Sequence, residues 1–209
     1  MRSLMPLMLI PLIACSSSRS GVLEDLDVDP TEIDGDVTEG SVVYELDTSA
    51  DPELVFAAVG ATGPQHGTWS EYNVQVVQAT DSLEDLEITF VVQVDSVVTN
   101  YTALDNHLRS DDFFDVENHP TATFVSTSVT DIGEGNYTIS GDMTLRGTTN
   151  ELSFPSTIKS DGDGIVASAV IEFSRWEYGL IRASATGPGD DGVEDLVVLD
   201  YSVRLAPVD

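Results

Sequence analysis

A two-residue period of apolar side chains runs through most of the chain beyond residue 41, and it constrains the fold more than any other feature. It is clearest over 86–94, 137–145, 151–159, 165–173 and 197–205, where apolar residues alternate with largely polar ones. Successive side chains of a β-strand point to opposite faces, so each segment buries one face and exposes the other. The chain is therefore predicted to be all-β, with about eight antiparallel strands.

Turn-forming segments rich in glycine, at 60–64, 133–136, 161–164 and 187–189, separate these strands. A short helical turn is expected only around 101–114. Eight strands can form either a sandwich or a closed barrel, and the alternation alone leaves both open. A closed barrel has no edge strands and can enclose one small ligand.

The first fourteen residues have the composition of an export signal. Arg2 precedes an apolar stretch from Leu4 to Ala14 that is too short to span a bilayer. The sequence at 12–15, Leu-Ile-Ala-Cys, resembles the bacterial lipobox, in which the cysteine receives a diacylglycerol. We predict a lipoprotein signal peptide over 1–14 and a lipidated Cys15 that anchors the protein in a membrane through its acyl chains. The alternative is an ordinary signal peptide followed by a chance cysteine.

Residues 15–40 hold the lipidated cysteine and an acidic segment with eight carboxylates and few large apolar side chains. Such a composition does not bury enough surface to fold, so this segment is interpreted as a flexible linker ahead of a β-barrel domain at 41–209. A calcium-binding or partner-binding tail is the alternative. The resemblance to lipoproteins, with Ser16 after the cysteine, implies export to the cell envelope and anchoring in the outer membrane, facing the periplasm.

Acidic residues dominate the charge of the chain, with 37 Asp and Glu against 8 Lys and Arg and a net charge of -29. Nucleic acid is excluded as a partner, because binding it requires basic side chains that replace phosphate counterions. Repulsion between so many carboxylates also predicts a fold that is less stable at low salt, where charges are screened least. Because Cys15 is the only cysteine, a disulfide within the chain is excluded.

Catalytic chemistry has little support in the sequence. The three histidines, His66, His107 and His119, lie far apart and form no familiar metal-binding spacing. No nucleophile elbow, phosphate-binding loop or dinucleotide fingerprint is present. We therefore predict no catalytic residue, no metal and no cofactor, and a protein that is not an enzyme.

Three blocks of sequence carry a resemblance to a known family. The first runs through Asp-Ser-Val-Val-Thr at 95–99, His-Leu-Arg-Ser-Asp-Asp-Phe-Phe-Asp-Val at 107–116 and Thr-Phe-Val-Ser-Thr at 123–127. The second is Gly-Asp-Met-Thr-Leu-Arg-Gly-Thr-Thr at 141–149, and the third is Arg-Trp-Glu-Tyr-Gly at 175–179. In order and spacing these blocks resemble the YceI-like family.

The resemblance implies an extended, lipocalin-like antiparallel β-barrel that binds an isoprenoid or similar apolar lipid in its interior. The strand residues that face inward are then the first candidates to contact the lipid, and they are Phe90, Val92, Phe124, Ile139, Met143, Leu145, Phe154 and Ile171. Three further candidates are expected near an opening of the barrel: His107, Phe113 and Phe114. The small residues Gly141, Ala167 and Ala169 indicate space inside the barrel.

Alternatives remain for several of these assignments. His107 can bond a ligand head group or fix its own loop. Arg109 and Arg146 are expected to pair with the nearby carboxylates of Asp111, Asp112 or Asp142 rather than with a ligand. A filled barrel that displays loops to a protein partner at the cell surface is the alternative function. The sequence also leaves a homodimer open.

Overall fold

The computed structural model describes residues 40–60, 63–181, 183–184, 187–188 and 193–208. The predicted signal peptide at 1–14, the predicted lipidation site Cys15 and the predicted linker up to residue 39 lie outside the described residues. Within the ranges that are described, no helix is long and apolar enough to cross a membrane.

Strands dominate the described chain. Thirteen strands are formed there: β1 (Val42–Leu46), β2 (Glu53–Gly60), β3 (Gly63–Trp69), β4 (Tyr72–Gln78), β5 (Leu86–Gln93), β6 (Val97–Thr99), β7 (Thr121–Gly133), β8 (Asn136–Leu145), β9 (Thr148–Asp161), β10 (Gly164–Ser174), β11 (Ala183–Ser184), β12 (Gly187–Pro188) and β13 (Leu196–Pro207). One α-helix, α1 (Thr102–Arg109), and four single 3₁₀ turns, at Thr48–Ala50, Leu83–Asp85, Val94–Ser96 and Arg175–Tyr178, accompany them.

The main sheet is a closed up-and-down barrel. Neighbouring strands along the chain pair antiparallel from β4 and β5 through β7, β8, β9 and β10 to β13, and β13 then pairs with β1. The closing contact joins Tyr44–Leu46 to Leu205–Pro207. This arrangement confirms the predicted all-β, antiparallel, eight-stranded barrel.

Three of the eight barrel strands are bent into two pieces. The strand pieces β1 and β2 are separated by a 3₁₀ turn, β3 and β4 by Ser70 and Glu71, and β5 and β6 by a second 3₁₀ turn. After the bends, β2 pairs with β3 and β3 pairs with β6, so the wall continues beyond β1, β4 and β5. The bends lengthen the barrel at one end.

The helix α1 fills a gap in this lengthened wall. The strands β5 and β7 stay together as far as a hydrogen bond from Val94 N to the Pro120 carbonyl, and β6 pairs only with β3 in the described sheet. Side chains of α1 bond the free edge of β6: Asp105 Oδ1 accepts from Thr99 N at 2.7 Å, and Arg109 donates to the Val97 carbonyl. The helix thus covers an edge strand that would otherwise expose its backbone.

A tight turn joins β8 to β9. Arg146 and Gly147 both have positive φ, at 50° and 68°. A common two-residue hairpin turn, whose twist matches that of the flanking strands, requires positive φ at both central positions, where glycine is favoured. This turn sets the register in which Leu145 faces Thr148, and with it the parity that points Met143 and Leu145 inward.

The core lies inside the barrel as two adjoining clusters. The lower cluster contains Val76, Leu86, Ile158 and Leu205 among its buried residues, and the upper cluster contains Phe56 and ten others. The lower cluster consists of strand residues, whereas the upper cluster also contains Leu108 of α1 and the turn residues Phe114, Tyr178 and Leu180. Burial of this surface is the main favourable contribution to folding.

Candidate functional site

The barrel encloses a cavity of about 840 Å³. Five inward residues of β13, from Val197 to Leu205, line it, and they span about 27 Å of strand at the usual rise per residue. At the lower end the wall is formed by Leu86, Ile158 and Leu205, each at most 5% exposed. The cavity is therefore long, and it is closed at its base.

The mouth lies at the opposite end, between the β2–β3 hairpin and the start of α1. All of the described residues that line the cavity and are exposed to solvent lie here, and they are Pro64, His66, Asn100, Tyr101 and Ala103. Because Gly67 pairs with Thr99, the next residues in register, His66 and Asn100, lie side by side at the rim. The rim is the most polar part of a largely apolar cavity.

Aromatic rings form two layers in the cavity wall. Near the mouth, Phe56 lies 5.0 Å from Trp69, which is 6.3 Å from Phe114. Deeper in the barrel, Tyr201 lies 6.4 Å from both Phe90 and Phe154. Rings at these separations pack in tilted or edge-on geometries, which give the cavity wall a fixed shape.

A buried polar pair lies at the deeper layer, where Tyr201 lines the cavity and Ser156 bonds it from behind the lining. Tyr201 and Ser156 are 9% and 3% exposed, and their hydroxyl oxygens lie 3.0 Å apart. Ser156 also donates to the Ser168 carbonyl at 3.1 Å. Burial raises the pKa of Tyr201 to about 12, and the hydrogen bond with Ser156 opposes this shift. The pair keeps two buried hydroxyl groups satisfied, as an apolar interior requires.

Two further polar atoms are buried without a partner in the described structure, the Trp69 Nε1 and the Tyr72 hydroxyl oxygen. The Tyr72 ring stacks on Phe90 at 5.7 Å. Burial is the main cause that raises the pKa of Tyr72, and the charge of Glu53 adds to it.

All eleven residues predicted to contact a lipid line this cavity. Phe113 and Phe114 pack edge to face at 4.9 Å on the cavity side of the turn after α1, so neither ring points outward. His107 lies on α1, half-buried, with its ring 6.3 Å from that of Phe113. Their role in binding lipid stays a prediction.

No Arg or Lys side chain of the described chain lines the cavity. Arg109 donates to the Asp95 carbonyl at 2.6 Å, and Arg146 donates to the Gly179 and Asp111 carbonyls at 2.6 and 2.7 Å. Arg175, fully buried, donates to the Leu180, Val193 and Glu194 carbonyls.

The expectation that Arg109 and Arg146 pair with the carboxylates of Asp111, Asp112 or Asp142 is therefore wrong. Both guanidinium groups bond backbone carbonyl oxygens instead. At the base, Arg204 does form ion pairs, with Asp47 at 2.9 Å and Asp161 at 3.1 Å.

The expectation of free space beside Gly141 also fails. A methyl group at this position would lie 2.6 Å from Phe124 Cζ and would clash with the Val125 carbonyl. The Phe124 ring occupies the space that the glycine leaves. Ala167, by contrast, lines the cavity.

Several residues of the site were not predicted from the sequence. Asn100 and Tyr101 follow β6 in a loop, and His66 lies on β3, which has no alternation of apolar residues. Ser156 and Tyr201 both carry the inward parity of their strands, so a hydroxyl at an inward position was the signal available. In the described residues no three His, Cys, Asp or Glu side chains cluster closely enough to hold a metal ion.

The fold and the motifs identify the family of the chain. Residues 44–205 match the sequence model of the YceI-like domain. The chain belongs to the YceI-like family. The resemblance stated from the three sequence blocks is therefore confirmed.

Relatives of this chain carry the name UPF0312 protein. One from Shewanella denitrificans is 32% identical over 166 residues, which are 74% of this chain and 85% of that protein. Another, from Ectopseudomonas mendocina, is 35% identical over 138 residues, which are 66% of this chain and 63% of that protein.

Solved structures share the fold at low sequence identity. BcnA of Burkholderia cenocepacia has a TM-score of 0.68 at 19% identity, covering 76% of this chain and 98% of that chain. A polyisoprenoid binding domain from Saccharophagus degradans has a TM-score of 0.60 at 15% identity, covering 79% and 98%. At such identities the similarity establishes the lipocalin-like barrel fold.

Proposed function

We propose that this protein binds an isoprenoid or a similar long apolar lipid inside the barrel, and that it sequesters or transports this lipid without catalysing a reaction. The observation that carries the proposal is the 840 Å³ cavity, whose described lining is predominantly apolar. An apolar chain that enters it gains about 25 cal/mol for each Å² of surface removed from water. Binding of this kind requires no reactive group.

Two further findings support the proposal. The volume falls within the roughly 300–1,000 Å³ that is usual for small-molecule sites. The Saccharophagus degradans protein that shares the fold is described as a polyisoprenoid binding domain. A filled barrel that acts only through its surface loops is less well supported, because the interior of this barrel is not filled.

The proposed place of action is the cell envelope. The lipobox-like sequence that ends at Cys15 supports anchoring of the protein by acyl chains, in the outer membrane and facing the periplasm. Labelling of growing cells with a radioactive fatty acid tests this: the full chain should incorporate label, and Cys15→Ala should not. Equal labelling of both proteins would contradict lipid anchoring at Cys15.

Native mass spectrometry of the full chain, released from mild detergent, tests the binding function. One lipid per chain is expected, and organic extraction of the same sample should identify its prenyl tail. A chain that is empty as purified, and that takes up neither added quinones nor added polyprenols, would contradict the proposal.

A pair of matched variants tests whether the cavity is the binding site. Ala167 lines the cavity, whereas Val170 on the same strand is 56% exposed. Ala167→Phe should lower the bound fraction because its ring takes up cavity space, while Val170→Phe should bind like the wild type. Circular dichroism should first show that both variants are folded. Full binding by folded Ala167→Phe would place the lipid elsewhere.

A further inference from the structure

We infer that the surface beside the cavity mouth docks on a lipid bilayer, so that the bound lipid passes between the membrane and the barrel without crossing water. This inference rests on the proposed function and adds to it the surface and the partner through which the cavity is loaded. Three observations carry it: an exposed apolar patch beside the mouth, the absence of charge there and the length of chain before residue 40.

The patch lies on the outer face of the strands that border the mouth. Val55 and Val59 of β2 alternate with the residues that line the cavity, so their side chains point outward. Pairing places Val98 of β6 in the same row as Val55, and it places Pro64 beside Val59. Leu196 of β13 follows in register on the other side of Val59. These five residues form the mouth patch, and all of them are exposed.

The mouth patch adjoins the opening of the cavity. Pro64 belongs to the patch and also lines the cavity. Tyr101, which follows β6, lines the cavity as well and is 65% exposed. A tyrosine side chain, with an apolar ring and a polar tip, suits the boundary between a bilayer and water. One membrane surface can therefore contact the patch and the opening together.

Formal charge is absent from this part of the chain. No Asp, Glu, Lys or Arg occurs between Glu53 and Glu71, nor between Asp95 and Asp105. At the average frequency of 37 acids in 209 residues, these two stretches would carry about four or five. Because a charged side chain is costly to move into a bilayer, a surface without carboxylates suits a membrane. Asp200 of β13 marks the lower limit of the patch.

The apolar cargo is the reason that a bilayer fits this surface. An isoprenoid that left the mouth for water would lose about 25 cal/mol for each Å² of apolar surface exposed. A mouth held against a bilayer removes this barrier, because the chain then moves from one apolar medium to another. The net charge of -29 restricts the partner to a bilayer with few anionic lipids, whose head groups would repel the protein.

The chain before residue 40 is long enough for an anchored protein to dock in this way. Tyr44 pairs with Pro207 at the base, so the chain enters the barrel at the end opposite the mouth. Residues 15–40 can span up to about 85 Å when extended. The 12 residues of β13 span about 40 Å. The mouth can therefore reach the same membrane that holds the proposed anchor at Cys15.

A fluorescent dye at the mouth tests the docking. Ala103, which is exposed at the rim, is replaced by cysteine in the full chain carrying Cys15→Ala, so that the dye has one site and no acyl anchor contributes. The emission of an environment-sensitive dye on Ala103→Cys should shift to the blue when phosphatidylcholine vesicles are added, and nitroxide-labelled phosphatidylcholine should quench it. Ile132, 57% exposed at the base, supplies the control, and the dye on Ile132→Cys should stay in water.

An added substitution in the dye-labelled Ala103→Cys chain tests the mouth patch itself. Val98 is 46% exposed and does not line the cavity, so Val98→Asp should fold and should bind geranylgeraniol in mild detergent like the parent chain. The vesicle concentration that gives half of the dye response should rise at least about tenfold, because a charge replaces a buried apolar side chain. Ile132→Asp is the matched control and should leave that concentration unchanged.

Equal responses from the dye at the mouth and at the base, or no response from either, would overturn the inference. A blue shift that needs no vesicles and grows with protein concentration would also overturn it, because a second copy of the chain would then cover the patch. Failure to bind geranylgeraniol in detergent would instead contradict the proposed function. The dye reports docking whether or not the cavity holds a lipid, so the two failures are distinguishable.

Discussion

Tyr201 should make the stability of the barrel depend on alkaline pH. The side chain is 9% exposed, and burial raises its pKa from 10.0 to about 12. An unfolded chain therefore releases this proton near pH 10, whereas the folded barrel retains it until about pH 12. Between these values the folded state binds more protons, so the free energy of unfolding falls as the pH rises.

The magnitude follows from the shift. About two pKa units at about 1.36 kcal/mol each give about 3 kcal/mol, fully present below pH 10 and lost by about pH 12. Tyr178 is also buried, with a pKa raised to about 12 chiefly by burial. Tyr178 and Tyr72, whose pKa values burial also raises, add to the loss with the same sign, so the wild type should lose more than Tyr201 alone accounts for.

Urea denaturation at pH 9 and pH 12 measures this loss. Tyr201→Phe should lose about 3 kcal/mol less than the wild type between the two pH values, and Tyr178→Phe should serve as the matched comparison. If the wild type and Tyr201→Phe lose the same free energy, the reasoning from burial is refuted.

The hydrogen bond between the Ser156 and Tyr201 hydroxyl groups can be tested separately, by measuring the free energy of unfolding at pH 7. Ser156→Ala removes the partner of the Tyr201 hydroxyl and should cost about 1–3 kcal/mol, as an unsatisfied buried group does. Adding Tyr201→Phe removes the unsatisfied group as well, so the double variant should be more stable than the sum of the single changes predicts. Additive single changes would show that the two hydroxyl groups are not coupled.

Three further outcomes are expected. Gly141→Ala should lower the free energy of unfolding by about 1–3 kcal/mol, because its methyl group meets Phe124 and a backbone carbonyl. Gly60→Ala is the control: its nearest contact is a flexible Gln65 carbon at 3.3 Å, so urea denaturation should show a smaller loss of stability. Asp105 has a lowered pKa, so its contribution is present at neutral pH and lost on acidification. Asp105→Asn should therefore narrow the difference in urea midpoint between pH 7 and pH 3, and an unchanged difference would contradict this. The melting temperature should rise with salt because of the net charge of -29, and a constant value would argue against surface repulsion.

The sequence predicted the regular part of the barrel well. In β5, β8, β9, β10 and β13 the alternation gave both the strand and the face that points inward, because burial on one face forces that pattern. The turn expected after β6 is the helix α1. These features follow from local periodicity and turn chemistry.

The mouth could not be predicted in the same way. His66 lies on a strand whose residues, Gly-Pro-Gln-His-Gly-Thr-Trp, carry no alternation, and Asn100 lies in a loop. They come together only because β3 pairs with β6, which is a contact about thirty residues apart in sequence. The filling of the space beside Gly141 by the Phe124 ring depends likewise on pairing between strands, since Gly141 lies opposite Ser126.

The contact between β1 and β13 has a consequence for how the chain folds. When each bent strand is counted as one, every pair of neighbouring barrel strands except the closing pair is also adjacent in sequence, so most hairpins form between segments that are close along the chain. Closure joins Tyr44 to Pro207 and must wait for the last strand to be made. Until then the nascent sheet carries two open edges and an exposed apolar face, the features that promote aggregation. Closure is therefore expected to be the slow step of folding, since it pairs the residues farthest apart in sequence.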